Sequence, residues 1–141
     1  MHEVVKRYEV EDEAVVIEFL KKVTTLDQVN MDIVNHSVLA MRFNEVIGMV
    51  SYEPFDEVGI IRYFVYDKTV TPDLIVNLFF ELYAKAKGRE IKQLVAMATN
   101  QYATHLFEML GFCEHQQQLD LKLSDISDSE NVSVLSIQLD V

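Results

Sequence analysis

The sequence lacks the features on which disulfide-rich and membrane-spanning proteins depend, namely several cysteines and a long apolar run. Cys113 is the only cysteine among 141 residues, which excludes an internal disulfide framework. No apolar run reaches the roughly 20 residues that a helix needs to cross a bilayer. Met1 to Val10 is charged and lacks the apolar centre of a signal peptide. We therefore expect one domain over residues 1–141 in the cytoplasm, with no membrane partner.

Basic residues are also scarce. The chain has 12 Lys and Arg against 23 Asp and Glu, giving a formal net charge of −11. Neutralisation of phosphates by Lys and Arg supplies most nucleic-acid affinity, so we expect no nucleic-acid partner. The negative field favours the approach of cationic molecules instead. The histidines show no metal-ligand spacing, which predicts no metal site, and the chain has no Walker loop, dinucleotide fingerprint or serine triad.

The stretch from Glu57 to Phe112 alternates between patterns typical of strands and helices. Val58 to Tyr66 is short, apolar and rich in β-branched and aromatic residues, which predicts a buried strand. A helix start follows, with Thr71 as the N-cap, Pro72 at the first helical position and Asp73 in the first turn. These signals are among the clearest local ones in the chain.

Three further predictions complete this stretch. The helix that Thr71 caps is expected to end at Gly88. Leu94 to Ala98 is predicted to form a second buried strand, and Asn100 to cap a helix that ends at Gly111. Two apolar strands joined through a helix indicate a parallel pair with a right-handed crossover.

The rest of the chain predicts further strands and helices around this centre. Leucine alternation indicates a closing antiparallel hairpin, and Thr24 to Asn35 is left open as a loop or a short helix. We therefore predict an α+β fold with layers of helices on a mixed, mostly antiparallel sheet and a parallel strand pair at its cleft. The other predicted elements are a strand at Val4–Val10, a helix from Asp12 or Glu13 to Val23, strands at Ser37–Phe43 and Val46–Glu53 joined by a turn at Asn44-Glu45, a turn at Pro54–Asp56, and strands at Leu119–Leu123 and Leu135–Val141.

Asn100, Ala103, Phe107, Gly111 and Phe112 have the spacing of a known helix signature. With this element order, the sequence resembles the GNAT superfamily of acyl-CoA-dependent N-acetyltransferases. A Val-Ile-Gly in the third strand, here at 46–48, is also common in that family. The resemblance implies acetyl-CoA as cofactor and an amine of a small molecule or peptide as substrate.

The resemblance also implies a set of site residues. Glu57 and Tyr66 are the candidate catalytic groups, and Glu53 and His105 are weaker candidates for the general base. The implied coenzyme contacts are Phe64, Val65, Tyr66, Thr71, Asp73, Asn100 and Phe107. Asn100 is also a good helix cap whatever the protein does.

Three departures from the family pattern bear on activity. The family's glycine-rich pyrophosphate loop is replaced at the positions of Val70, Asp73 and Ile75. Phe107 stands where many members have a proton-donating tyrosine, and the fourth strand holds no carboxylate. Two functions therefore remain open: an acyl-CoA-dependent N-acetyltransferase, or an inactive GNAT-like domain that binds a ligand or a protein.

The third predicted helix has more apolar surface than one sheet contact needs. The excess comprises Val76, Phe80 and Tyr83, which either lie under the terminal hairpin or form a subunit interface. Because the family often dimerises, we expect a homodimer.

Overall fold

A computed structural model describes residues 3–25, 28–114 and 133–139 of the chain. A short 3-10 turn at Val10–Asp12 precedes the first α-helix. The remaining elements, in chain order, are β1 (Glu3–Arg7), α1 (Glu13–Val23), α2 (Met31–Val34), β2 (Ser37–Arg42), β3 (Glu45–Phe55), β4 (Val58–Tyr66), α3 (Pro72–Gly88), β5 (Gln93–Ala98), α4 (Gln101–Met109), β6 (Cys113–Glu114) and β7 (Ser133–Gln138).

The strands form one mixed sheet. Over the described residues it has seven strands in the order β1-β2-β3-β4-β5-β7-β6. β4 and β5 are parallel, and the other neighbouring strands are antiparallel. The predicted fold class is therefore confirmed, including the parallel pair that the strand-helix-strand pattern indicates.

Helices cover both faces of the sheet and enclose two apolar clusters. α3 and α4 pack on one face, where Leu78, Phe79 and Leu82 are fully buried. α1 and α2 pack on the other face, where Leu20 and Val34 are fully buried. Alternate residues of β2 and β3 therefore point into different clusters, as the two-residue period of a strand requires.

The predicted helix caps are present. The Thr71 hydroxyl accepts a hydrogen bond from the Leu74 N–H at 3.3 Å. The Asn100 side chain accepts one from the Ala103 N–H at 2.8 Å. Gly111 leaves α4 with a φ of 101°, a conformation that favours glycine. These local signals set the starts of α3 and α4 and the end of α4.

Two predicted turns are wrong by one or two residues. The turn between β2 and β3 lies at Phe43 and Asn44, with φ of 50° and 69°, and not at Asn44-Glu45. Two successive positive φ values are what a tight hairpin with the right twist needs. Pro54 does not turn the chain but pairs with Gly59 inside the sheet, and the turn falls at Asp56 and Glu57.

The outer elements differ in extent from the predictions. β1 ends at Arg7 and not at Val10, because a 3-10 turn takes over there. The open segment from Thr24 to Asn35 contains the four-residue helix α2. β7 starts two residues earlier than predicted, at Ser133, and ends at Gln138. The predicted strand at Leu119–Leu123 lies outside the described residues.

The apolar surface of α3 is mostly used inside the chain. Tyr83 is half-buried and donates a hydrogen bond from its hydroxyl to the Leu110 carbonyl at 2.7 Å. Val76 is also half-buried against the core, whereas Phe80 is 62% exposed. The large apolar side chain that α3 exposes is therefore one phenylalanine, and not a wide stripe. No helix among the described residues is long and apolar enough to span a membrane.

Candidate active site

β4 and β5 run together for only three residue pairs and then part. Val58, Gly59 and Ile60 pair with Gln93, Leu94 and Val95 of β5. β4 continues to Tyr66 without a further β5 partner in the described part of the chain. The two strands therefore open a wedge on one side of the second half of β4.

A bulge in β4 lies inside this wedge. Met49 of β3 pairs with Val65, but Ser51 pairs with Arg62, so three steps along β4 match two steps along β3. Tyr63 lies in the bulge with a φ of 48°. Such a bulge rotates the backbone and changes where the following groups point. The Tyr63 hydroxyl accepts the N–H of Asn30 at 2.9 Å, which ties the start of α2 to the bulge.

Aromatic rings fill the α3 and α4 side of the wedge. The centroid of the Phe64 ring lies 5.3 Å from Tyr66, 5.0 Å from Phe79 and 5.9 Å from Phe107. Phe107 is 5% exposed and also contacts Phe112. The ring at position 107 is therefore part of the core, and the hydroxyl that the family pattern expects there is replaced by packing.

Tyr66 is the phenol on β4 nearest to α4. Burial, followed by hydrogen bonding to the Tyr102 hydroxyl, raises the pKa of Tyr66. Gly48 pairs with it across the sheet, and a Cβ at position 48 would lie 3.2 Å from the Tyr66 Cβ. Tyr66 is therefore held in a close contact and stays protonated at neutral pH, the state that a proton donor needs.

The start of α3 uses most of its own N–H groups. The N–H groups of Leu74 and Ile75 donate to the Thr71 carbonyl, and Pro72 has no N–H to offer. The Asp73 carboxylate adds a negative charge in the first turn. A helix N-terminus binds anions through free N–H groups and its dipole. This one is partly satisfied from within, so it fits a pyrophosphate poorly.

The loop before α3 is closed by its own contacts. The Asp67 carboxylate accepts the Thr69 N–H at 2.9 Å, and this backbone hydrogen bond is the main cause that lowers the pKa of Asp67. Val70 and Ile75, at two of the positions where the family has its loop motif, are 8% and 5% exposed. Their side chains point into the core, so the loop is anchored by packing.

Glu57 is not brought to the wedge. It lies in the turn before β4, is mostly exposed and pairs with Lys92 at 3.3 Å. At about 3.3 Å per residue, the nine steps from Glu57 to Tyr66 span roughly 30 Å. The two candidate catalytic residues therefore lie at opposite ends of β4 and cannot act on one bond.

The other candidates have structural partners. Glu53 forms an ion pair with Arg62, which is 7% exposed. His105 is exposed on α4, with its Nδ1 atom 3.7 Å from Glu108. Asn100 caps α4 with two oxygen atoms. Its side-chain oxygen accepts the Ala103 N–H, and its backbone oxygen accepts the Thr104 hydroxyl. These contacts give Asn100 a capping role.

Sequence reasoning missed the contact between Tyr66 and Tyr102. Tyr102 lies in the first turn of α4 and is 74% exposed. The available signal was topological: parallel β4 and β5 end at the same edge of the sheet, so the end of β4 and the start of α4 lie there together. Helical spacing from Phe107 alone does not reveal it.

Sequence comparison and structure comparison give different results. No protein-family profile matches the chain, and no curated protein sequence matches it significantly. Solved structures do match. An acetyltransferase of the GNAT family from Staphylococcus aureus has a TM-score of 0.74 and 14% identity, over 98% of this chain and 99% of that one. One from Streptococcus pneumoniae has a TM-score of 0.72 and 18% identity, over 97% and 99%.

A third structure contains the coenzyme. N-acetylglutamate synthase from Neisseria gonorrhoeae, complexed with coenzyme A and L-arginine, matches with a TM-score of 0.75 and 16% identity. The match covers 99% of this chain and 34% of that one. Identities this low establish the fold and not the activity. The resemblance predicted from the sequence is confirmed at that level: this chain has the GNAT fold, in a diverged form.

Proposed function

We propose that the protein is an acyl-CoA-dependent N-acetyltransferase that acts on an amine of a small molecule or peptide. One observation carries the proposal: β4 and β5 part after Ile60, with a bulge at Tyr63 on the open side. The backbone of Phe64, Val65 and Tyr66 is then available to pair with an extended arm. An extended ligand that adds to a sheet edge gains main-chain hydrogen bonds, which suits the pantetheine arm of acetyl-CoA.

Tyr66 is the proposed proton donor. The amine nitrogen attacks the thioester carbonyl, a C–N bond forms, the C–S bond breaks, and the leaving sulfur takes a proton. Tyr66 has a raised pKa and a hydrogen bond to Tyr102, so its proton is available there at neutral pH. Tyr102 is proposed as a positioning residue, because it acts through Tyr66.

Positioning and backbone polarity supply the rest of the catalysis. A bulge presents N–H groups that are not used in the ladder, and such groups stabilise a developing oxyanion. Glu57 is too distant to take part, and Glu53 is committed to Arg62. We therefore propose that the amine loses its proton to water. Most of the rate acceleration then comes from binding the amine and the thioester next to each other in the right orientation.

The start of α3 limits the affinity for the coenzyme. Asp73 and the internal cap at Thr71 compete with an incoming pyrophosphate. Phe64 and Phe107 still offer an apolar wall, and Val65 and Tyr66 an open backbone edge. We propose that acetyl-CoA binds through its pantetheine arm more than through its phosphates. Asn100 stays in the proposal as a coenzyme contact only because it lies at the start of α4.

The remaining features of the proposal follow from charge and surface. The net charge of −11 favours a cationic amine as acceptor and disfavours nucleic acid. A location in the cytoplasm is part of the proposal, as is a homodimer. Phe80, which is 62% exposed on α3, is the observation that supports the dimer.

An inactive domain that binds a ligand or a protein is the second candidate. Two observations favour it: Phe107 lacks the hydroxyl of a proton donor, and Asp73 opposes an anion at the start of α3. The two candidates differ in whether acetyl-CoA binds and whether its thiol is released. Both are measurable on the purified chain.

The experiment is thermal unfolding with acetyl-CoA, followed by a thiol-release assay with a panel of amines. Ligand at about 100 times its dissociation constant stabilises a fold by about 2.7 kcal/mol. We expect stabilisation in the wild type and in Tyr66→Phe, with turnover about 10²-fold lower in the variant. Tyr8→Phe, which removes a hydroxyl next to β1 and so has two strands between it and β4, is the control and should change neither. Absence of stabilisation at millimolar acetyl-CoA would reject the enzyme.

A further inference from the structure

A second polar cluster lies between the sheet and the C-terminal end of α3, away from the wedge. It consists of His36, just before β2, Tyr52 of β3, Lys85 of α3 and Arg89 just after it; we call these four residues the basic cluster. The centroids of the His36 and Tyr52 rings are 4.9 Å apart. Nothing in the proposed acetyl transfer uses these residues.

Two buried polar atoms of the basic cluster have no partner among the described residues. Tyr52 is 0% exposed, and its hydroxyl makes no hydrogen bond. The Nδ1 atom of His36 is buried and also without a partner. Buried polar atoms in proteins nearly always have a hydrogen-bond partner, so an unmatched pair in one place calls for a ligand or another specific explanation.

The two cations of the cluster form no close ion pair with a carboxylate in the described part of the chain, and the acidic group near Lys85, Glu81, pairs with Arg7. Lys85 is only 7% exposed, and within the described ranges neither the Lys85 ammonium nor the Arg89 guanidinium makes a side-chain hydrogen bond or ion pair. The nearby Arg7 differs, since its guanidinium pairs with Glu81 at 2.6 Å. This is unexpected in a chain whose acidic residues outnumber its basic ones 23 to 12.

The electrostatic consequences are consistent across the cluster. Burial, and then the charges of Arg89 and Arg7, lower the pKa of Lys85, which Glu81 only partly offsets. Burial, and then Lys85 and Arg89, lower the pKa of His36. The fold therefore holds like charges together beside unmatched polar atoms, an arrangement that a bound negative charge would relieve.

We propose that His36, Tyr52, Lys85 and Arg89 form a binding site for a small oxyanion, a carboxylate or a phosphate group. Lys85 supplies a buried charge and Arg89 a second charge from the exposed side. The Tyr52 hydroxyl donates a hydrogen bond, and His36 donates from Nδ1 when that atom carries a proton. This site does not depend on acetyl-CoA binding and is separate from the wedge.

The first test is thermal unfolding of the full chain in sodium phosphate and in sodium acetate, each against sodium chloride at the same ionic strength and pH. We expect a saturable rise in Tm with at least one oxyanion. The rise should be lost in Lys85→Met and reduced in Tyr52→Phe. Lys87→Met is the matched control, because Lys87 is exposed two residues further along the same helix, and it should keep the full response.

A measurement on the wild type tests the proposal without depending on whether the variants fold. In an NMR titration with inorganic phosphate and with acetate, the ring protons of His36 should shift saturably, and those of His105, exposed on α4, should not. A shift with phosphate only identifies a phosphate site, and a shift with acetate identifies a site that takes carboxylates. Unchanged His36 signals, or equal Tm responses in Lys85→Met and Lys87→Met, would overturn the proposal.

Discussion

His36 couples the stability of the fold to pH. Its pKa in the folded chain lies below the ordinary value of 6.5, chiefly because it is buried, and then because Lys85 and Arg89 face it; Asp32 opposes the shift. The unfolded chain therefore binds more protons than the folded chain as the pH falls below about 6.5. The contribution of His36 is unfavourable at acid pH and vanishes above 6.5.

His36→Gln should therefore reduce the amount of unfolding free energy that the protein loses at acid pH. We expect the difference in free energy of unfolding between pH 7.5 and pH 5.5 to be smaller in the variant than in the wild type. Urea unfolding in chloride buffer measures it. His105→Gln, a change at an exposed histidine, should leave the difference as it is in the wild type. An unchanged slope in His36→Gln would contradict the prediction.

Asp73 is expected to weaken coenzyme binding at the start of α3. A charge in the first turn of a helix is worth about 0.3–1 kcal/mol, so Asp73→Asn should tighten acetyl-CoA roughly two- to five-fold if the phosphates approach that end. Calorimetric titration measures the change. Glu57→Gln removes a charge at the far end of β4 and should have no effect. Equal affinities in wild type and Asp73→Asn would mean that the phosphates lie elsewhere.

Strand β4 depends on a glycine that permits close packing. A Cβ at Gly59 would lie 2.8 Å from Cδ2 of Leu94 and 2.9 Å from Cδ2 of Tyr52, and both of these side chains are fully buried. Gly59→Ala should therefore cost about 1–3 kcal/mol of unfolding free energy through overpacking. Denaturant unfolding gives this value directly.

Gly88 provides the matched control within α3. A Cβ there would meet nothing within 4 Å. Because alanine is the better helix former and Gly88 is the last residue of α3, Gly88→Ala should stabilise the protein by up to about 0.5 kcal/mol. The same substitution is thus expected to have opposite signs in the strand and in the helix. A neutral Gly59→Ala would show that the neighbouring side chains can move aside.

The boundaries of helices and strands were predicted with unequal success, for physical reasons. The caps at Thr71 and Asn100 were predictable because side chain and N–H are only three residues apart. The turn at Phe43 and Asn44 was displaced because sheet register, and not the preference of Phe43, sets the positive φ values. Pro54 was predicted to turn the chain, but it lies within β3 and pairs with Gly59 of β4.

Association of two copies is the property for which Phe80 is the expected probe. Its ring is 62% exposed on α3, whereas Tyr83 is held by Leu110. If α3 forms the proposed dimer interface, Phe80→Asp should convert the dimer to a monomer, measured by sedimentation equilibrium. Met109→Asp, at a 77% exposed apolar residue of α4, is the control and should leave the dimer intact. A wild type that is already monomeric would remove the interface.

The sequence by itself determined the order of the elements from β1 to α4 and the helix caps at Thr71 and Asn100. Each of these depends on residues only a few positions apart. Only the tertiary structure decided that β4 and β5 part after Ile60, that Tyr66 meets Tyr102, and that Glu57 lies at the far end of β4. It also decided that Lys85 and Arg89 face His36, because strand register and helix docking join segments that are distant along the chain.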